Sequence, residues 1–208
     1  MRHGMLNTDD VHCLQSLSRP LHYSDGIEPS QLFPLRREVE SCNNSRLKEL
    51  PGPKHNYPAM DHAGYDIYGN PIERESAELL LDRINALSII SLKAGAQVML
   101  IQNVEQGSLV NGSQGLVLDF ITTHDAQERG IAIAEQTTRR GQDDIPISDG
   151  STVSSEDLRP LNNNVFGRQQ LWPLVRFENG REMLCPPLDF TVEGFMGNVE
   201  ARRTTSQG

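Results

Sequence analysis

Lysine is nearly absent from this 208-residue chain, which holds only Lys48, Lys54 and Lys93. None of the three directly follows a glycine, so the Gly-x-x-x-x-Gly-Lys-Ser/Thr loop that cradles nucleotide phosphates is missing. Cysteine is equally scarce. Cys13, Cys42 and Cys185 lie far apart with no Cys-x-x-Cys pair, which fits free thiols in a reducing compartment. The six histidines are scattered and no His-Glu-x-x-His occurs, so no metal site is expected. His55, Asp61 and His62 are close in sequence but read as ordinary loop residues. No apolar run approaches the ~20 residues of a membrane span. The opening stretch MRHGMLNTDDVH lacks the apolar core of a secretory signal.

What is present is acidic and polar. The net charge is -9, the pI about 5.1 and the mean hydropathy -0.47. An acidic total argues against this chain alone gripping a polyanion, because non-specific nucleic-acid affinity comes from cations that release counterions. Most of the positive charge is arginine, which suits forked contacts to phosphate or carboxylate. Low hydrophobic content, 37%, leaves part of the chain for loops.

The patterning predicts a short helix over TDDVHCLQSL, with Thr8 as N-cap and Val11, Leu14 and Leu17 on one face. SQLFPLRREVESCNNSRLKELPG reads as a short strand feeding a helix that stops at Pro51-Gly52. Residues 53–70 read as irregular, and IERESAELLLDRIN as a further helix. From Ser88 the character becomes strand-like: ISLKAGAQVMLIQN, GLVLDFIT, WPLVRFENGREMLC and DFTVEGFM. Asn179-Gly180 sits between apolar runs, a strong hairpin signal. The polar stretch at about 122–164 reads as a disordered loop. The expected fold class is α/β plus a small β barrel: an α/β portion at 1–87, then the barrel at 88–195 with that loop inside it.

No catalytic set emerges from motif tests. In SLVNGSQGLVLDF, Ser113 directly follows Gly112, which fails the Gly-x-Ser-x-Gly spacing, and the following LVLDF is strand-like. A turn between two strands is the better reading. Asp82 and Asp119 each end an apolar run without a second acid, so neither defines a magnesium site. Arg36-Arg37, between strand and helix, is open to two readings: a phosphate fork, or an exposed i,i+4 partner for Glu40. Arg202-Arg203 is open to a phosphate contact or an exposed basic end.

Three stretches together resemble a known family. LKAGAQVMLIQN with LVNGSQGLVLDF, and WPLVRFENGREMLCPPLDFTVE, resemble an SH3-like insert of superfamily-one DNA helicases that move 5′ to 3′. SLSRPLHYSDGIEPSQLFPLRREVESCNNSRLKELPG resembles the motif IV region of the petite integration frequency helicases. The resemblance runs from about Met1 to Thr204.

It implies a partial RecA-like domain at 1–87, an SH3-like insert at 88–195 and a truncated return to the RecA-like domain at 196–208. It implies ATP-driven unwinding of DNA in repair, recombination and telomere maintenance by the intact family, in nucleus and mitochondrion, with ATP and Mg as cofactors and single-stranded DNA as partner. The P-loop and motifs V and VI would lie outside this chain, which is therefore expected to hold no cofactor, to lack ATPase activity and to bind DNA weakly or not at all by itself. No membrane partner is expected. By the resemblance, Arg36 or Arg37 reaches toward nucleotide or a domain interface, and Asn43 supports the local structure. Contacts to the strand would come from Lys93, Gln102, Asn103 and Asn111, each of which reads equally as a turn or exposed strand residue. The alternatives are a small-barrel module for protein or single-stranded DNA, or a non-functional truncated product.

Overall fold

The computed structural model describes residues 7–18, 26–84, 86–105, 107–135 and 170–206. Four helices and ten strands occur among them: α1 Thr8–Ser16, α2 Arg36–Glu49, β1 His55–Pro58, β2 Met60–Ala63, α3 Arg74–Leu81, β3 Ile89–Leu92, β4 Gln97–Met99, β5 Gln114–Ile121, α4 Thr123–Glu128, β6 Ala132–Ile133, β7 Trp172–Phe177, β8 Glu182–Leu184, β9 Leu188–Glu193 and β10 Val199–Thr205. The strands form a pair β1-β3, a three-stranded sheet β2-β10-β9 and a five-stranded sheet β4-β5-β7-β8-β6. Among the described residues no helix is long and apolar enough to cross a membrane.

The larger core lies on the five-stranded sheet. Val117 and Ile121 of β5 alternate inward, and β7 is buried along almost its whole length, so Trp172, Val175 and Phe177 pack with Met183 and Leu184 of β8. Tyr57 of β1 and Ile90 and Leu92 of β3 join this core, pairing across the chain position where the sequence changes character. Tyr57 lies stacked near Trp172 at 5.4 Å and its hydroxyl donates to Leu171 O at 2.9 Å. Burial pushes its pKa up. The hairpin expected at Asn179-Gly180 joins β7 to β8, with Gly180 at φ 80 and Phe177 N donating to Arg181 O at 2.9 Å. A second, smaller core sets Ala77 and Leu81 of α3 against Ala201 of β10.

Several expectations are corrected. The five-stranded sheet stays open among the described residues: its edge strands β4 and β6 do not pair with each other, and they are only 3 and 2 residues long. The apolar segment before α2 is not a strand, and Leu32 there is 96% exposed. Asn7, not Thr8, caps α1, accepting from Asp10 N at 2.7 Å, and the face holding Val11, Leu14 and Leu17 is exposed. Residues 53–70 contain β1 and β2, which need distant partners, β3 and β10. The start of the supposed disordered loop is ordered. Thr122 and Asp125 form a capping box for α4, Ala126 is buried, and β6 pairs in parallel with β8. The remainder of that loop, 136–164, lies outside the described residues.

Candidate nucleic-acid interface

The connection from β4 to β5 is the SLVNGSQG stretch and the residues before it. Leu100 N donates to Ser113 O at 2.9 Å and Gly112 N to Leu100 O at 2.8 Å, so the two strands are closed by a turn. Gly112 has φ 94, a backbone conformation open to glycine. Gly115 is needed for a different reason: a Cβ there would lie 2.6 Å from Val175 Cγ1 and 3.0 Å from Arg176 O, so β5 and β7 approach closely only because it has no side chain.

Buried Leu109 and Val104 anchor the connection to the core. Asn103 Oδ1 accepts from Asn111 N at 2.7 Å, clamping one side of the connection to the other. Arg181, from the β7–β8 turn, braces it by pairing with Glu105 and donating to Ser108 Oγ at 3.0 Å. Asn103 and Asn111 are exposed on this braced surface, and Gln102 is half-buried beside them. Gln102 Oε1 is buried and, among the described residues, has no hydrogen-bond partner. Three of the four predicted strand contacts thus fall on one connection.

Lys93 stands apart from them, on the other side of β4. Its Nζ donates to Leu50 O at 2.6 Å and so closes the C-terminal end of α2. Arg36 and Arg37 occupy the first turn of α2, both exposed, and among the described residues neither makes an ion pair, with Glu40 or any other acid. Cations are disfavoured at that end of the helix dipole, by roughly 0.3–1 kcal/mol each, so helix stability does not account for them. Asn43 lies further along α2. The tail pair resolves into neither open reading. Arg203 is buried with a bidentate pair to Asp61, at 2.7 and 2.6 Å, and donates to Ala86 O at 2.8 Å. Hydrogen bonds to Asp61 hold its pKa above the ordinary value, against the opposing effect of burial. Arg202 lies 3.9 Å from Asp189.

His55 and Asp61, close in sequence, have separate roles. Asp61 holds Arg203, while His55 stacks on Phe120 at 3.9 Å. His124, Asp125 and Glu128 bring donor atoms within 4.8 Å of one another on α4. The Asp125 carboxylate already accepts from Thr122 Oγ1 at 2.8 Å as part of the cap. Cys185 is buried, and desolvation pushes its thiol up to about 12.

Comparison with known proteins supplies the wider context. The family model of the DNA helicase Pif1 2B domain matches residues 84–120, the span of β3, β4 and the Asn103–Asn111 clamp into β5. The chain is 32% identical over 209 residues to ATP-dependent DNA helicase PIF1 of Emericella nidulans, covering 98% of this chain and 27% of that protein. It is 38% identical over 181 residues to ATP-dependent DNA helicase RRM3 of Saccharomyces cerevisiae, covering 86% of this chain and 23% of that protein. The fold superimposes on a crystal structure of Pif1 helicase from Candida albicans with a TM-score of 0.65 and 25% identity, covering 98% of this chain and 39% of that one. The chain therefore spans about a quarter of the length of these curated relatives. Sheet architecture and sequence together match it to one stretch of proteins named as DNA helicases. Within them, it belongs to the Pif1 helicase family.

Proposed function

We propose that this chain forms the part of an ATP-dependent 5′-3′ DNA helicase that walls the single-stranded DNA track. The observation that carries the reading is the overlap between the Pif1 2B match at 84–120 and the braced connection bearing Gln102, Asn103 and Asn111. In this reading the region from β3 to β9 is the SH3-like insert, and its β4–β5 connection lies along the strand. The exposed amides of Asn103 and Asn111 there offer donors and acceptors to phosphates and base edges without a net charge, which suits a wall that lets the strand slide. Lys93 contributes by fixing α2 to the insert rather than by a direct phosphate contact. Arg36 and Arg37 are presented by α2 toward nucleotide or a neighbouring domain. ATP and Mg supply phosphoryl-transfer chemistry in the intact helicase, where catalysis is mostly positioning and charge neutralisation. The intact protein then acts in repair, recombination and telomere maintenance, in nucleus and mitochondrion.

The test uses the 208-residue chain. ATP hydrolysis, with or without DNA, is expected to be absent. A labelled oligothymidylate titrated at low salt is expected to bind weakly, to be released at moderate salt, and to bind more weakly still to Asn111→Ala. ATP turnover by this chain overturns the expectation that catalysis lies elsewhere. Binding that is indifferent to both Asn103→Ala and Asn111→Ala overturns the assignment of the wall.

A further inference from the structure

The sheet β2-β10-β9 ends in two turns that project from the same end. β2 runs antiparallel to β10, so the chain beyond Ala63 and the chain before Val199 leave the sheet together. Tyr65 N donates to Val199 O at 3.1 Å, and Asn198 Nδ2 donates to Tyr65 O at 2.7 Å. The first turn is closed by the Tyr65–Pro71 bridge. Asp66 Oδ1 stiffens it by accepting from Tyr68 N and Asn70 N, both at 2.8 Å. The second turn, Gly194 to Gly197, is closed by Gly194 N donating to Asn198 O at 2.8 Å.

Both hydrogen-bonded turns display large apolar side chains to solvent. Phe195 is 99% exposed and Tyr68 82%, and Tyr65, Ile67 and Met196 are each more than half exposed. Aromatic and methionine side chains presented by two turns at one end of a sheet have the composition of interface cores, and exposed apolar surface of this kind marks interaction sites. The charge within the two turns has one sign, and the nearby exposed Arg74 pairs with Glu78. Residues 64–72 and 193–200 contain Asp66, Glu193 and Glu200 and no basic residue. Hydrogen bonds from Asn70 hold the Asp66 carboxyl below its ordinary range, so it stays anionic at neutral pH. Glu200 leans over the second turn, so close that a Cβ on Gly194 would lie 2.4 Å from its Oε1. Such a rim repels a phosphate backbone. It attracts cations, and exposed tyrosine and phenylalanine faces take guanidinium groups favourably.

We propose that this end of the three-stranded sheet docks a basic linear peptide of a protein partner, one that presents arginine beside an apolar residue. The surface is separate from the Asn103–Asn111 connection, so the proposal stands independently of the strand-wall reading. The test titrates the full chain with a short labelled peptide of repeated Arg-Leu-Gly, its Glu-Leu-Gly counterpart and an oligothymidylate. The arginine peptide is expected to bind and the acidic one not. Phe195→Ser and Tyr68→Ser are each expected to weaken binding about tenfold or more, as central interface residues do. Leu32→Ser, equally exposed on the segment before α2, is expected to leave it unchanged. No binding, equal binding to Phe195→Ser and Tyr68→Ser, or displacement of the peptide by oligothymidylate overturns the proposal. So does a dimer of the chain that dissociates in Phe195→Ser, since a second copy would then be the occupant.

Discussion

Removing the Asp61 carboxylate strands a buried cation. In Asp61→Ala, Arg203 remains in place with its side chain only 7% exposed and keeps one acceptor, Ala86 O, after losing both oxygens of its partner. Breaking a buried ion pair from one side costs about 3–5 kcal/mol. Asp61 itself is 30% exposed, so water reaches the vacated side and the expected loss falls to about 2–3 kcal/mol. With a urea dependence of about 2 kcal/mol per molar, the midpoint moves down by roughly 1–1.5 M. Far-UV circular dichroism follows all the strands, and the single tryptophan, Trp172, follows the larger core. Agreement between the two probes tests whether one transition is being measured. Replacing both partners, as Asp61→Leu with Arg203→Met, should cost less than Asp61→Ala, because no charge is left buried. A midpoint for Asp61→Ala within about 0.2 M of the parent, or a double variant less stable than the single one, refutes the reasoning.

Two further outcomes follow from local geometry. Gly115→Ala drives a methyl into Val175 and the Arg176 carbonyl, and is expected to cost about 1–3 kcal/mol, seen as a lower thermal midpoint, whereas Gly52→Ala, with open space around it, should lose only what its positive φ requires. The Asp125 carboxyl is held below its ordinary value, first by the hydrogen bond from Thr122 Oγ1 and next by Thr122 N. Its capping contribution is therefore complete above about pH 4 and lost as pH falls through the lowered value. An NMR titration of Thr122→Val should return the Asp125 pKa toward its ordinary value, and an unchanged titration would show that the cap does not govern it.

Much of this was legible where local signals agree with tertiary placement. α2 stops where Pro51-Gly52 say it should, and Asn179-Gly180 makes its hairpin because the turn chemistry is local. α3 is shorter than the expected IERESAELLLDRIN stretch, ending at Leu81 with Asp82 as its C-cap. β1 and β2 were hidden because HNYP and MDHA carry proline, histidine and acid. Their strand character comes from β3 and β10, far along the chain. α4 was hidden by polar composition, although Thr122 and Asp125 carry the spacing of a capping box. At the candidate site, sequence reasoning picked Gln102, Asn103 and Asn111 but not the hydrogen bond that clamps Asn103 to Asn111. It also missed Arg203: the sequence of an arginine pair does not say which of the two faces a carboxylate 142 positions earlier.

That separation has a kinetic side. β2 and α3 are made well before the strand that satisfies one and covers the other, β10 at Val199–Thr205. At about 5–20 residues per second, the earlier elements wait on the order of 10 s for their partner. During that interval β2 presents an unpaired edge and α3 an uncovered apolar face. Of the two cores, the smaller is thus the later to assemble and offers an opportunity for a chaperone, and any chain cut before Val199 forfeits it altogether while leaving the strands of the larger core intact.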